Sequence, residues 1–444
     1  MTECSKQLHL PFFKSRDLTV TFGGGDIVTD AGLLLVRQFE HERDLIGALS
    51  KVIVDPRDPL RVTHEQTELL RQRIFQIIAG YEDCNDANRL RIDPLFKTIV
   101  GRLPSDPDLG SQPTLTRLEN RVDAGTCREI TGVLMDWFIA SRPTAPSEMT
   151  LEMDTSDAAT YGQQVLSFYN AHYNEHMYFP MFLNDAATGY LLASLLRPGN
   201  AGGSDGATNI LDNVVGRLRG MRRDLLLFFR ADSHFATPLI LDWLEYKGIE
   251  YVVGLGENKV LKRLSADFVA RVEERFRRTG RPQKDFTSIR YKTRKTWTRA
   301  RRVIVKVEVT SLGTNIRLAV TNRLGRSEDL YDWCVQRGGT VEGSIKALKN
   351  GFEGDRLSCH TFEANRFRLL LHTTAHNLMV LFRERITVPD LRRADIHTLR
   401  IKLIKVAARV RQTARRLWFE LSSSWPFSPY FRAAHHALIS SPSG

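Results

Sequence analysis

Apolar and polar positions follow two different rhythms along this chain, and the rhythm changes near residue 148. Before that point apolar residues recur at helical spacing. GLLLVRQFEHERDLIGAL follows a capping Thr29–Asp30, and Leu69, Leu70, Ile74, Ile77 and Ile78 form one stripe within His64–Gly80. Asp17–Phe22 reads as extended and Gly23–Gly25 as a turn, because the three glycines lack the spacing of a phosphate loop. The stretch SRPTAPSEM has the Pro/Ser/Thr texture of a linker. From Met149 the pattern is that of strands. MTLEMDTS alternates, HMYFPMFLND and GYLLASLLR read as a hairpin turning at Ala186–Gly189, and DLLLFFRAD and IEYVVGLG are short apolar runs. SDGATNILDNVVGRLRGM and HFATPLILDWLEYKG carry helical periods between them, which predicts a mixed α/β layer. RRVIVKVEVTSL and IRLAVTNR look like further strands, whereas TVEGSIKALKNGF and EANRFRLLLHTTAHNLMVLFRER look like helices. LRIKLIKVAARVRQTARRLWFEL fits a basic helix or a β-hairpin equally well.

At 444 residues the chain is long enough for several domains. Charge adds a partner class: the net charge is +12, and it is concentrated. Residues 259–306 hold 17 Lys/Arg against four acids, and residues 383–432 hold 12 against four, so the rest is net acidic. Two basic blocks on an acidic body suit a phosphate backbone, although charge runs also serve solvation alone. Five scattered cysteines, Cys4, Cys84, Cys127, Cys334 and Cys359, form no zinc motif and fit free thiols in a reducing cytoplasm. No apolar run suits a signal peptide or a membrane span, so a cytoplasmic protein without a membrane partner is expected.

Candidate chemistry lies at strand ends. Asp154 closes the first strand and Asp232 closes DLLLFFRAD, the positions from which an α/β sheet presents side chains. Glu342, Lys346 and Lys349 would share one face of a helix, with Ile345 and Leu348 on an adjoining apolar stripe. Three carboxylates can hold two divalent cations, which suit hard oxygen donors and in-line attack on phosphorus. Asp157 is an alternative ligand past the strand end, and Asp185 reads as a hairpin-turn residue. His372 and His376 have the spacing of a zinc pair, but Thr373 stands where the general base would be, so packing within a helix is expected. Trp297, beside Arg299, Arg301 and Arg302, either stacks on an extruded base or is buried against its strand neighbours.

TLEMDTSD, LRPGNAGGSDGATNIL, LFFRADSHF and TVEGSIKALKNGFEGDRLSCHTFEANRFRLLLHTTAHNLM resemble transposases of bacterial insertion sequences of the DDE class. The nearest group is the insertion-sequence family numbered thirteen-eighty. LRQRIFQIIAGYEDCNDANRLRIDPLF and KLIKVAARVRQTARRLWFEL extend the resemblance over most of the chain. It implies an α/β ribonuclease-H-like core with a β-rich insertion, a helical N-terminal domain and a basic C-terminal region. The expected layout is 1–148 helical, 149–256 core, 257–325 basic insertion, 326–388 second core part and 389–444 basic tail. It implies catalytic and metal-binding Asp154, Asp232 and Glu342 with two Mg²⁺ or Mn²⁺ ions. Lys346, Lys349, Arg337, Trp297, Arg299, Arg301 and Arg302 are the expected DNA contacts, in a homodimer on terminal inverted repeats and target DNA. Lys349 matches the lysine of the family's Y…R…E…K signature. Its arginine falls on Gly338, with Arg337 one residue earlier and Tyr331 likewise displaced, and relatives have Gly where this chain has His234. A plain metal-dependent nuclease, or an impaired DNA-binding descendant of a transposase, are the alternatives.

Overall fold

The computed structural model describes residues 7–12 and 14–440, which leaves Cys4 outside. It divides into two compact units, Met1–Leu118 with Phe382–Gly444, and Glu119–Leu381. The C-terminal segment thus folds with the N-terminal residues instead of forming a region of its own. No helix among the described residues is long and apolar enough to cross a membrane.

In the first unit the expected helix after Asp30 becomes two, Leu33–Arg43 and Leu45–Val52, because Asp44 between them adopts a left-handed φ of 46°. Helix Gln66–Ala79 lies within the expected span and stops at Gly80, whose φ is 96°. The ambiguous tail is a hairpin, Ala408–Gln412 against Leu417–Leu421, with Ile27–Val28 added as a third strand. Its period of two is visible in buried Ala408 and Val410 alternating with exposed Arg409 and Arg411.

The second unit is built on one eight-stranded sheet. Strands β1 (Glu148–Thr155), β2 (Met181–Asp185) and β3 (Leu191–Leu195) form an antiparallel meander. β4 (Leu226–Ala231) and β5 (Glu250–Leu255) run parallel to β1. β6 (Gln283–Tyr291), β7 (Arg301–Thr310) and β8 (Gly313–Thr321) are antiparallel and join beside β5, giving the order β6-β7-β8-β5-β4-β1-β2-β3. The apolar run of β4 is explained by its two parallel neighbours and its burial. Helices α1 (Ala124–Ala140), α2 (Ala207–Met221) and α3 (Pro238–Tyr246) pack beside these strands. α1, expected with the N-terminal residues, packs against β3 and α2 of this unit.

The insertion after β5 has the expected strands together with an unexpected helix. It begins with helix α4 (Lys259–Thr279), whose buried Leu261, Ser265 and Val272 mark one stripe amid the charge. Its strands continue the central sheet. Leu318 pairs with Leu255, and β8 starts five residues earlier at Gly313. The β7–β8 hairpin therefore runs about 16 Å past the last residue of β5, at roughly 3.3 Å per residue. Helices α5 (Ser327–Val335) and α6 (Arg337–Lys346) follow. α5 closes a cluster of Val252, Ile304, Ala319, Leu330 and Cys334, against which Phe286, Tyr331 and Trp333 pack. α6 lies over β1 and β2, and helix α7 (Phe362–Arg385) comes last.

Ile304 on β7 is fully buried against Val252 of β5, so insertion and sheet share one core. Ile304→Ala should destabilise the unit by about 2–5 kcal/mol. Thermal unfolding by circular dichroism, with hydrogen exchange at β5 amides, checks this; unaltered β5 protection would show the insertion to be separate.

Candidate active site

Parallel β1 and β4 end at the same side of the sheet, with Met153 opposite Ala231. Asp154 and Asp232 are the next residues on the two strands, so the register brings both carboxylates to one rim. Asp232 also caps the 3₁₀ turn Ser233–Phe235, accepting a hydrogen bond from the His234 backbone N–H at 2.9 Å. His234 Nδ1 lies 2.9 Å from the other oxygen of Asp232. Asp154 accepts from the Thr155 N–H at 2.8 Å through Oδ1.

Glu342 reaches this rim from α6, its side chain 55% exposed. Arg337 joins the carboxylates. Its Nη1 is 2.8 Å from Asp154 Oδ2 and 3.6 Å from Glu342 Oε1. Burial pushes the Asp154 carboxyl up to about 6; Arg337 opposes that rise, while Asp232 and Glu342 add to it. Burial likewise disfavours the Arg337 charge, but Asp154, Asp232 and Glu342 together outweigh it and raise the guanidinium above its ordinary value. Arg337, one residue before the expected signature position, is thus the arginine that contacts these acids. Gly338 stands at the expected position, and a Cβ there would meet the Glu342 carboxylate at 3.6 Å.

Among the described residues no three His, Cys, Asp or Glu side chains are arranged to close on one metal ion. The donor set itself is all carboxylate, which is the chemistry hard divalent cations require. Burial and, after it, the repulsion of Asp232 and Glu342 disfavour the Asp154 charge, which calls for positive charge that Arg337 supplies in part. The residues therefore fit Mg²⁺ or Mn²⁺ by donor type and charge.

The two lysines separate. After α6 the chain makes a π-helical turn over Ala347–Gly351, which breaks the α-helical spacing that put Lys349 on the Glu342 face. Lys349 Nζ instead binds Asp157, at 3.0 Å to Oδ2 and 3.1 Å to the carbonyl, and stands 3.8 Å from Asp355. Asp157, the alternative ligand, is thereby committed to an ion pair, and Lys346 remains exposed. Asp185 is a turn residue, accepting from Thr188 Oγ1 at 2.7 Å. His372 and His376 are buried in α7 as expected, His372 Nδ1 meeting the Phe352 carbonyl at 2.5 Å.

The arginine cluster lies elsewhere on the sheet. Arg302 pairs with Thr321, which pairs with Val252, so the 292–300 loop hangs where β5 begins, away from the rim of Asp154 and Asp232. Trp297 is 5% exposed, its ring edge-on to Tyr291 at 5.3 Å and beneath Arg301 at 5.1 Å. Trp297 is thus buried against its neighbours in this structure. Arg301 is also buried and pairs with Asp242 at 2.5 Å and Glu245 at 2.7 Å. Arg302 donates to the Gly325 carbonyl at 2.9 Å and Ser327 Oγ at 3.0 Å, and exposed Arg299 stands 3.3 Å from Glu245. Two of the three are thus fold residues, since α3 and the β8–α5 loop use their donors. Sequence reasoning missed a second pair, Glu152 and Arg230. Its signal was opposite charges two residues before each Asp, inside otherwise apolar strands.

The family described as transposase DDE domain group 1 matches residues 10–443. No curated protein matches the sequence. Among solved structures the chain is similar to a piggyBac transposase in a cryo-EM synaptic complex with hairpin DNA. The identity is 12%, with 85% of this chain and 80% of that chain covered and a TM-score of 0.42.

Arg301→Met leaves Asp242 and Glu245 without their buried partner and should cost about 3–5 kcal/mol of stability. If the arginine touches no phosphate, the slope of log DNA affinity against log salt stays at the wild-type value. A denaturant melt and a salt titration of binding check both halves; a slope flatter by about 0.9 would return Arg301 to the DNA contacts.

Proposed function

This chain belongs to the family described as transposase DDE domain group 1, and we propose that it cuts double-stranded DNA at inverted-repeat ends and joins those ends to a target. The observation that carries this reading is the convergence of Asp154, Asp232 and Glu342 around Arg337 at one end of the sheet. We read the meander β1–β3 with parallel β4 and β5 as a ribonuclease-H-like core. The insertion-sequence family numbered thirteen-eighty is the group it fits.

Asp154, Asp232 and Glu342 would hold two Mg²⁺ or Mn²⁺ ions. Such ions, when bound, activate the attacking water or 3′-hydroxyl and neutralise the leaving oxygen. The chain's own groups do the rest. His234 orients the Asp232 carboxylate through a ring nitrogen and a backbone N–H. Arg337 holds Asp154 and Glu342 against their mutual repulsion and offers a planar cation to a phosphate. Lys349 braces the Ser156–Asp157 segment just after the first acid, and exposed Lys346 is free to meet the DNA backbone. Exposed Lys259, Arg263, Arg278, Arg281, Arg294 and Lys295 of the insertion supply a wider electrostatic contact. A homodimer pairing two ends completes the reading.

A second reading is a DNA-binding descendant with a silent centre. It is favoured by His234 and Arg337 already engaging oxygens of Asp232 and Asp154.

Asp154→Asn, Asp232→Asn and Glu342→Gln should each abolish cleavage and strand transfer of a pre-cut 3′-OH end, with end binding retained. Asp157→Asn should keep cleaving, because its carboxylate serves Lys349. The assays are Mg²⁺-dependent cleavage and joining of labelled ends. Cleavage without joining indicates a plain nuclease, and a wild-type chain that binds ends but does neither supports the silent centre.

A further inference from the structure

Glu152 and Arg230 stand opposite each other on β1 and β4, each two residues before a rim aspartate. Their side chains are 0% and 5% exposed, and Arg230 Nε donates to Glu152 Oε1. Asn184, opposite Glu152 on β2, donates to Glu152 Oε2 at 3.2 Å. One polar row thus crosses three strands a single step below the acids. The remaining bonds of that row go to the segment that carries Arg337 and Glu342. Arg230 Nη1 donates to the Trp333 carbonyl at 2.6 Å and to Gln336 Oε1 at 3.5 Å. Arg230 Nη2 reaches Thr340 Oγ1 at 3.4 Å, and Thr340 Oγ1 donates to Glu152 Oε1 at 2.5 Å. The guanidinium also lies 5.0 Å from the centre of the Trp333 ring.

A buried ion pair is a poor way to gain stability, since apolar side chains of similar volume do as well or better. What it provides here is direction. A rigid planar fork bonded to a strand carboxylate and to both sides of the α5–α6 junction leaves that junction one height and one rotation. We infer that Glu152 and Arg230 are positioning residues that fix α6 where it lies over β1 and β2, so that Arg337 and Glu342 meet Asp154 and Asp232. The inference rests on the cleavage reading of those four residues.

The test uses the full chain with Thr340→Val, which removes one hydroxyl bond, and the double variant Glu152→Met/Arg230→Met, which removes both charges without stranding either. Single-turnover cleavage of a labelled DNA end should slow about tenfold in Thr340→Val. In the double variant the loss should reach about a hundredfold, the scale of a displaced catalytic group. DNA affinity and melting temperature should stay at wild-type values, and metal-free hydrogen exchange should quicken only over residues 333–346. Wild-type cleavage in both variants overturns the inference. So does faster exchange spread through the sheet with a lower melting temperature, which marks a general scaffold. If the wild-type chain does not cleave at all, the cleavage reading fails separately and exchange alone decides. Loosening confined to 333–346 then upholds the positioning role, and unchanged exchange overturns it.

Discussion

Carboxylates repel one another most strongly where water is scarce, and this fold draws three of them to one rim. Asp154 and Asp232 arrive there because parallel strands in fixed register end together, and Glu342 arrives on a helix laid across the same face. Burial chiefly raises the carboxyl of Asp154, and the crowding of Asp232 and Glu342 adds to that rise. Every neighbouring feature answers it. Arg337 inserts a guanidinium between two of the acids, His234 takes an oxygen of the third, and Lys349 draws Asp157 away from the group. The position of α6 is thus an electrostatic requirement as well as a packing one.

The parts of this arrangement legible in the sequence are those that depend on local period. Alternation in MTLEMDTS and the apolar run of DLLLFFRAD gave both strands and their terminal acids, and Ala186–Gly189 marked the hairpin between β2 and β3. The core strands needed no long-range information, because burial on two faces or one writes itself directly into residue type.

What stayed illegible depends on partners distant in sequence. α4 was hidden because its apolar stripe is narrow and its charges dominate. The π-helical turn after α6 leaves no local signature, yet it carries Lys349 from the Glu342 face to Asp157. Arg301 looked like a phosphate ligand because its partners, Asp242 and Glu245, lie more than fifty residues earlier. Trp297 presented two readings, and its burial arises from the packing of Tyr291 and Arg301 around it. Arg230 and Glu152 were concealed by their setting, since a charge inside an apolar run reads as an interruption until its opposite number is found on the next strand.

The attachment of β8 to β5 has a consequence for how the chain avoids sticking to itself. Without β6–β8, the outer side of β5 would bare a row of unpaired N–H and C=O groups along Val252–Leu255, which pair with β8 here. Such an open strand is a template for another molecule. The meander moves that exposure outward to β6, where the charges of exposed Lys284 and Arg290 oppose an approaching copy. A chain trimmed of residues 257–325 would therefore not be a smaller version of this protein but an aggregation-prone one.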